Sequence, residues 1–183
     1  MSDWRLTTDN ALLVIVDMQE KLMAVMPRRD ETVAGVKKMA AACRILNVPV
    51  VLTTQYTKAL GPTLADVAEA AGNPEVPDKM TFSCCGSESF QHTLRKLRRS
   101  RIILCGVEAH VCVQQTVIDL MAAGHSVYVC VDAVCSRRDS DRDVAIERMR
   151  DCGAVITTVE SAAFEMLRQA GTDKFKACLP LFK

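Results

Sequence analysis

Aromatic side chains are scarce in this chain of 183 residues, which carries one Trp, two Tyr and five Phe. That leaves few rings on which nucleic-acid bases could stack. Excess charge of either sign is also missing. Lys and Arg total 23 against 22 Asp and Glu, so a formal +1 supplies no global field to draw the chain to nucleic acid or an anionic membrane. No apolar run is long enough to span a bilayer. The opening MSDWRLTTDN lacks the basic start, apolar core and small-residue cleavage site of a secretory signal, and the PLFK tail is no peroxisomal or lipidation signal. A cytoplasmic chain is expected. Nine cysteines are present, an odd number, but no CxxC pair. Most lie inside apolar strings such as IILC and VYVCV, where a thiol serves as a small hydrophobe, so a reducing compartment is expected rather than a disulfide scaffold.

The chain does contain short, continuously apolar runs separated by stretches of helical period. The runs are Ala11–Val16, Val50–Leu52, Ile102–Cys105, Val127–Val131 and Ala154–Ile156. Because they do not alternate with polar residues, they predict strands covered on both faces, as in a parallel sheet. Val33, Val36, Ala40 and Cys43 mark a first helix, with Asp30 as its predicted cap and Asn47 as its end. Further helices are expected from Ser87, around Val113–Leu120, over 139–152 and from Ser161, several stopped by glycine. Strand–helix–strand repetition with short links predicts a doubly wound α/β sheet with helices on both faces. No linker, repeat or low-complexity stretch interrupts residues 1–183, so one domain is expected. Gln55–Phe82, holding Gly61, Gly72 and three of the six prolines, is the least regular segment and the natural place for functional loops.

Open α/β sheets bind ligands beyond the carboxyl ends of their strands. Asp17 stands there, directly after the first strand in VIVDMQE, as either a turn cap or a catalytic acid. Cys112 follows the strand RIILC by one short turn and opens the next helix. Amide groups and the helix dipole at that place favour a thiolate. They could also hold an oxyanion. Lys79, in VPDKMTFS, is locally an ordinary loop lysine or a third catalytic group.

Together VIVDMQE, DKMTFS and GVEAHVCV resemble the motifs of the isochorismatase-like cysteine hydrolases, over about Ala11 to Ala163. TTQYTKALGPT and VDAVCSRRDSDR give the chain the look of the isochorismatase domain-containing and YcaC-like subgroup. The resemblance implies a Cys112–Asp17–Lys79 triad, in which Asp17 takes the thiol proton and Lys79 stabilises the charge pair. It further implies a cis peptide between Val107 and Glu108, and an oxyanion hole from the backbone N–H groups of Glu108 and Cys112. Gln19, Tyr56, Phe82, Val107 and His110 are the expected substrate-binding residues. Tyr56 and Phe82 could equally be core or lid aromatics, and His110 could face the helix surface. Nicotinamidases of this family bind a metal after the second strand, where this chain reads Thr53-Thr54-Gln55-Tyr56-Thr57-Lys58. No metal and no cofactor are therefore expected. The retained cysteine favours a small amide or related acyl substrate, and relatives' assemblies imply a homo-oligomer.

Two rivals stand beside that reading. Arg95, Lys96, Arg98, Arg99 and Arg101 could meet phosphates and make the chain an RNA-binding protein or ribonuclease, though cations at a helix end also complement its dipole. Alternatively, a reactive Cys112 with Cys84 or Cys85 as resolving thiol would make a redox-sensitive or protein-binding module without turnover.

Overall fold

A computed structural model describes residues 5–183, so the first four residues of the opening decapeptide lie outside it. In chain order the strands are β1 (Ala11–Val16), β2 (Val50–Leu52), β3 (Thr54–Gln55), β4 (Asp78–Lys79), β5 (Arg101–Val107), β6 (Ser126–Cys135) and β7 (Val155–Thr157). The helices are α1 (Glu20–Met23), α2 (Arg29–Leu46), α3 (Thr57–Leu60), α4 (Ala65–Ala70), α5 (Glu88–Leu97), α6 (Gln114–Ala122), α7 (Asp139–Asp151), α8 (Val159–Leu167) and α9 (Asp173–Cys178). Five strands form one parallel sheet in the order β2-β1-β5-β6-β7, and β3 and β4 pair as a separate parallel ribbon. The fold is thus a doubly wound α/β sheet with helices on both faces.

The sheet sits at the centre because its strands have no polar face to offer water. Every residue of β1 is fully buried. Leu13 and Ile15 enter one apolar layer with α2 and α8, whereas Leu12, Val14 and Val16 enter the other with α5 and α6. The two-residue period of a strand divides one apolar string between two cores. β5 does the same with Ile103 and Cys105 on one side and Ile102 and Leu104 on the other.

Boundaries differ from the sequence expectation where packing outweighs composition. β5 and β6 run on to Val107 and Cys135, carried by their mutual pairing past a bulge between Leu104 and Gly106. Asp30 does not cap α2. The helix starts at Arg29, leaving Asp30 in the first turn, where its carboxylate bonds Arg29 at 3.1 Å. α8 opens at Val159, because the Thr158 hydroxyl accepts a bond from the Ser161 amide at 3.3 Å. The segment expected to be irregular contains α3, α4 and β4. Among the described residues no helix is long and apolar enough to cross a membrane.

Candidate active site

The carboxyl ends of β1 and β2 meet at Asp17 and Thr53. Asp17 has φ +50, a left-handed conformation that Asp tolerates better than most residues. Its amide donates to the Thr53 carbonyl at 3.2 Å, tying the turn after β1 to the end of β2. The carboxylate is completely buried. Its Oδ2 accepts from Lys79 Nζ at 2.7 Å and its Oδ1 from Thr53 Oγ1 at 2.8 Å. Lys79 is brought there by the β3–β4 ribbon, in which it pairs with Gln55. Its ammonium also donates to Gln55 Oε1 at 2.7 Å, to the Phe82 carbonyl at 3.0 Å and, more weakly, to the Thr81 carbonyl at 3.3 Å. An ammonium has three hydrogens, so Asp17, Gln55 and Phe82 already use its donor capacity.

Cys112 approaches from the other side. After β5 and a cis peptide between Val107 and Glu108, the chain makes a π-helical turn over Ala109–Val113 and continues into α6. The Cys112 side chain lies in the field of both Asp17 and Lys79 and retains 6% of its surface. Thr116 Oγ1 donates to the Cys112 carbonyl at 2.7 Å and accepts from the Cys84 amide at 2.9 Å. The three residues singled out in sequence therefore converge on one buried cluster.

The electrostatics overturn one expectation. Burial pushes the Cys112 thiol well above the ordinary thiol range, the Asp17 charge pushes the same way, and Lys79 offsets only part of it. With the thiol held that high, the resting group is a thiol rather than the thiolate expected from the helix N-terminus. For Lys79, burial favours the neutral amine, but the Asp17 carboxylate, by its charge and its hydrogen bond, leads the contributions that more than reverse this, so the ammonium is held above its usual range. At rest the cluster is an Asp17–Lys79 ion pair beside a protonated Cys112.

A second thiol shares this field. Cys84 is fully buried with its Sγ 3.7 Å from Thr53 Oγ1, and burial followed by the Asp17 charge pushes it up to about 11. Adjacent Cys85 is pushed up to about 12, chiefly by burial, but its neighbours are Ser83 and Asp119. Of the pair, only Cys84 faces Asp17 and Lys79.

The expected substrate-binding residues fare unevenly. Gln19 is fully buried and its amide is committed to the backbone: Oε1 accepts from the Gln55 N–H at 2.7 Å, and Nε2 donates to the Gln55 and Gly61 carbonyls at 3.0 and 2.7 Å. It clamps β3 and the turn after α3 rather than lining a pocket. Val107 is fully buried in the core under α2 and presents no side-chain surface to a ligand. His110 turns away from Asp17: its Nδ1 lies 3.0 Å from Ser136 Oγ, and its ring lines a cavity of about 390 Å³ with Arg137, Arg138 and Asp141. Tyr56 and Phe82 are exposed at 42% and 55%, so they are not core aromatics, and Phe82 adjoins the cluster through its carbonyl to Lys79. The Glu108 side chain, assigned nothing in sequence, accepts from the Arg137 amide and Nε at 3.1 and 3.0 Å and anchors the turn after β6.

Thr53, Gln55 and Thr116 went unnoticed in sequence as members of this cluster, whereas Cys84 was named there, with Cys85, as a candidate resolving thiol for Cys112. Thr53 and Gln55 had a usable signal, since they follow β2 as Asp17 follows β1. Thr116 had none, because only the fold brings it to Cys112, and only the fold separates Cys84 from Cys85 as the thiol beside Asp17. Among the described residues no group of three or more His, Cys, Asp or Glu is placed to hold a metal ion.

A doubly wound α/β protein with a buried Cys–Asp–Lys cluster at the carboxyl ends of its strands is the class that fold and site define. The chain belongs to the isochorismatase domain family, which matches residues 11–161. It is 40% identical over 183 residues to the secreted isochorismatase effector Isc1 of Phytophthora sojae, covering 98% of this chain and 87% of that protein. It is 36% identical to isochorismatase domain-containing protein 2 of Danio rerio, covering 94% and 86%. Among solved structures, MAR1 ribonuclease of Caenorhabditis elegans superposes with a TM-score of 0.92 at 37% identity, covering 97% of this chain and 92% of that one. YcaC of Pseudomonas aeruginosa, solved with hexane-2,5-diol and covalent acrylamide, gives 0.90 at 25% identity, covering 99% and 93%. These relatives place the chain with the isochorismatase domain-containing and YcaC-like proteins.

Proposed function

We propose that this chain is a metal-independent cysteine hydrolase of a small amide or related acyl compound, working through a Cys112–Asp17–Lys79 triad. The observation that carries this reading is the buried 2.7 Å Lys79–Asp17 ion pair beside the Cys112 thiol. As Cys112 Sγ attacks the carbonyl carbon, its proton passes to Asp17, and Lys79 balances the new negative charge. The backbone N–H groups of Glu108 and Cys112 hold the tetrahedral oxyanion. Asp17 then hands its proton to the leaving amine as the C–N bond breaks, leaving a thioester. In the second half Asp17 draws a proton from water as it attacks the thioester, the acid is released, and the thiol is regenerated. Resting Cys112 as a thiol suits this cycle, since the base must receive a proton that the amine later needs. The whole of residues 5–183 acts as one domain in this reading, and nine free thiols suit a reducing, cytoplasmic setting. Exposed Tyr56, Met80 and Phe82 beside the cluster fit a rim that meets a small apolar acyl group, or a second copy in a homo-oligomer.

The name of the C. elegans neighbour favours a second reading, ribonuclease activity. Here the basic run Arg95–Arg101 ends where β5 begins, whereas Cys112 follows the far end of that strand. Seven strand residues separate the two by about 20 Å. The buried cluster suits a small molecule better than a polynucleotide. The test is residue-mapped alkylation together with a panel of small amides and a structured RNA. Cys112-dependent release of amine, lost in Cys112→Ala, is the expected result. RNA cleavage that survives Cys112→Ala, or a peroxide-formed Cys112–Cys84 disulfide without any turnover, would replace the hydrolase reading.

A further inference from the structure

We infer that Thr53 is a positioning residue for this chemistry: its hydroxyl aims the Asp17 carboxylate at Cys112 and bars it from the second thiol, Cys84. The inference rests on the cysteine-hydrolase reading above.

Asp17 serves several donors at once. Lys79 occupies Oδ2 at 2.7 Å and Thr53 occupies Oδ1 at 2.8 Å, while the Cys112 thiol lies in the field of the same carboxylate. Two thiols lie in the field of this one carboxylate, because Asp17 and Lys79 act on both Cys84 and Cys112. A base shared by two thiols needs something to choose between them, and Thr53 stands on the Cys84 side. Its hydroxyl has a single proton. The carboxylate oxygen at 2.8 Å is a far better acceptor than the Cys84 sulfur at 3.7 Å, so that proton points to Asp17. The lone pairs of Thr53 Oγ1 are left to accept from the Cys84 S–H. The order is therefore Cys84 to Thr53 to Asp17, so Thr53 stands between the carboxylate and Cys84 while the side towards Cys112 is left open.

The geometry that enforces this is rigid. Thr53 is 1% exposed. Its N–H donates to the Ile15 carbonyl at 3.0 Å and its carbonyl accepts from Asp17 N–H at 3.2 Å, so its backbone brackets the Asp17 turn on both sides. A β-branched side chain with both backbone groups held has little freedom at χ1. Thr53 was not singled out in sequence because a threonine after a strand is usually an ordinary half-buried residue.

The test follows Cys112 alkylation by iodoacetamide from pH 5 to 10, mapped by mass spectrometry, in the parent and in Thr53→Val, Thr53→Ser and Asp17→Asn. Thr53→Val keeps the shape and removes the hydroxyl. The carboxylate loses a bond to its charged form, so the acid side of the profile moves to higher pH. It also loses its aim, so the Cys112 rate at pH 7 falls roughly tenfold or more. Thr53→Ser, which keeps the hydroxyl, restores both the profile and the rate. A purely structural role for Thr53 predicts no displacement of the profile. Should the valine variant melt below the assay temperature, Thr53→Ala repeats the comparison. A Thr53→Val profile superimposable on the parent, or a faster reaction without displacement, overturns the inference while leaving the triad standing. A parent whose Cys112 is indifferent to Asp17→Asn overturns the hydrolase reading and this inference with it.

Discussion

The ion pair at the heart of the site is a liability as well as a tool. Asp17 and Lys79 are both withdrawn from water, and deletion of one partner of such a pair leaves a buried charge uncompensated. Lys79→Met should therefore destabilise the protein by about 3–5 kcal/mol. Removing both charges in Asp17→Asn with Lys79→Met should recover much of that loss, because no isolated charge remains. Urea melts of the two single variants and the double variant check this, and additive losses would argue against a coupled pair. Hydrolysis should be absent in all three, since stability and chemistry draw on the same two groups for different reasons. Gln55 follows the same logic at lower stakes. Its Oε1 holds the ammonium and its Nε2 donates to the Met80 carbonyl at 2.9 Å, so it couples the lysine to the exposed loop around Met80.

At the level of elements, the site exists because β1 and β5 approach closely at their carboxyl ends. Gly106 makes that possible. It sits at φ +114, and a Cβ there would lie 2.1 Å from the Val16 carbonyl oxygen, a distance no rotamer can relieve. Gly106→Ala should cost at least about 3 kcal/mol and displace the turn that carries Cys112. Gly124 is the control, since it also has a positive φ, +87, but a Cβ there meets nothing within 4 Å. Gly124→Ala should cost only about 1–2 kcal/mol, the strain of a left-handed residue. Chemical melts and Cys112 alkylation rates, compared across the two variants, separate close approach from backbone strain. Equal losses would deny Gly106 its special place. The β3–β4 ribbon depends likewise on Gln19, whose side chain supplies bonds that these short strands cannot make between themselves.

Across the whole molecule, buried thiols set the response to alkali. Cys43, Cys84, Cys85, Cys112, Cys130, Cys135 and Cys178 are all held above the ordinary thiol range, and burial is the leading cause for each except Cys130, where a hydrogen bond to Cys105 leads. A group whose folded pKa is raised contributes stability that is intact below the unfolded value and is lost as pH climbs through the folded one. For thiols that unfolded value is about 8.5, so the loss begins near pH 8.5. Each such thiol adds up to about 1.4 kcal/mol of loss per pH unit beyond it. Lys79 acts in the same direction at higher pH. The melting temperature should change little from pH 6.5 to 8 and fall steeply above pH 9, under reducing conditions. A stability curve level to pH 10 would contradict the burial of these thiols.

How much of this was legible beforehand follows from the range of the forces involved. Ala11–Val16 and Val50–Leu52 could be read to the residue, because a fully apolar run of strand length has few other uses. The order of the sheet's carboxyl ends, and with it the candidacy of Asp17 and Cys112, came from the same local pattern. Lys79 needed the resemblance, since nothing in VPDKMTFS distinguishes it from a solvated loop lysine. Tertiary structure alone decided the rest. It put Thr53 on Asp17, Gln55 on Lys79 and Cys84 behind both, contacts that span 36, 24 and 31 residues of chain. It also turned Gln19 from ligand to scaffold and His110 toward Ser136 and a separate cavity, and it set Cys112 as a thiol. Strand and helix follow from side chains a few positions apart, whereas protonation and hydrogen-bond partnership depend on what distant segments bring within 3 Å and on how completely they exclude water.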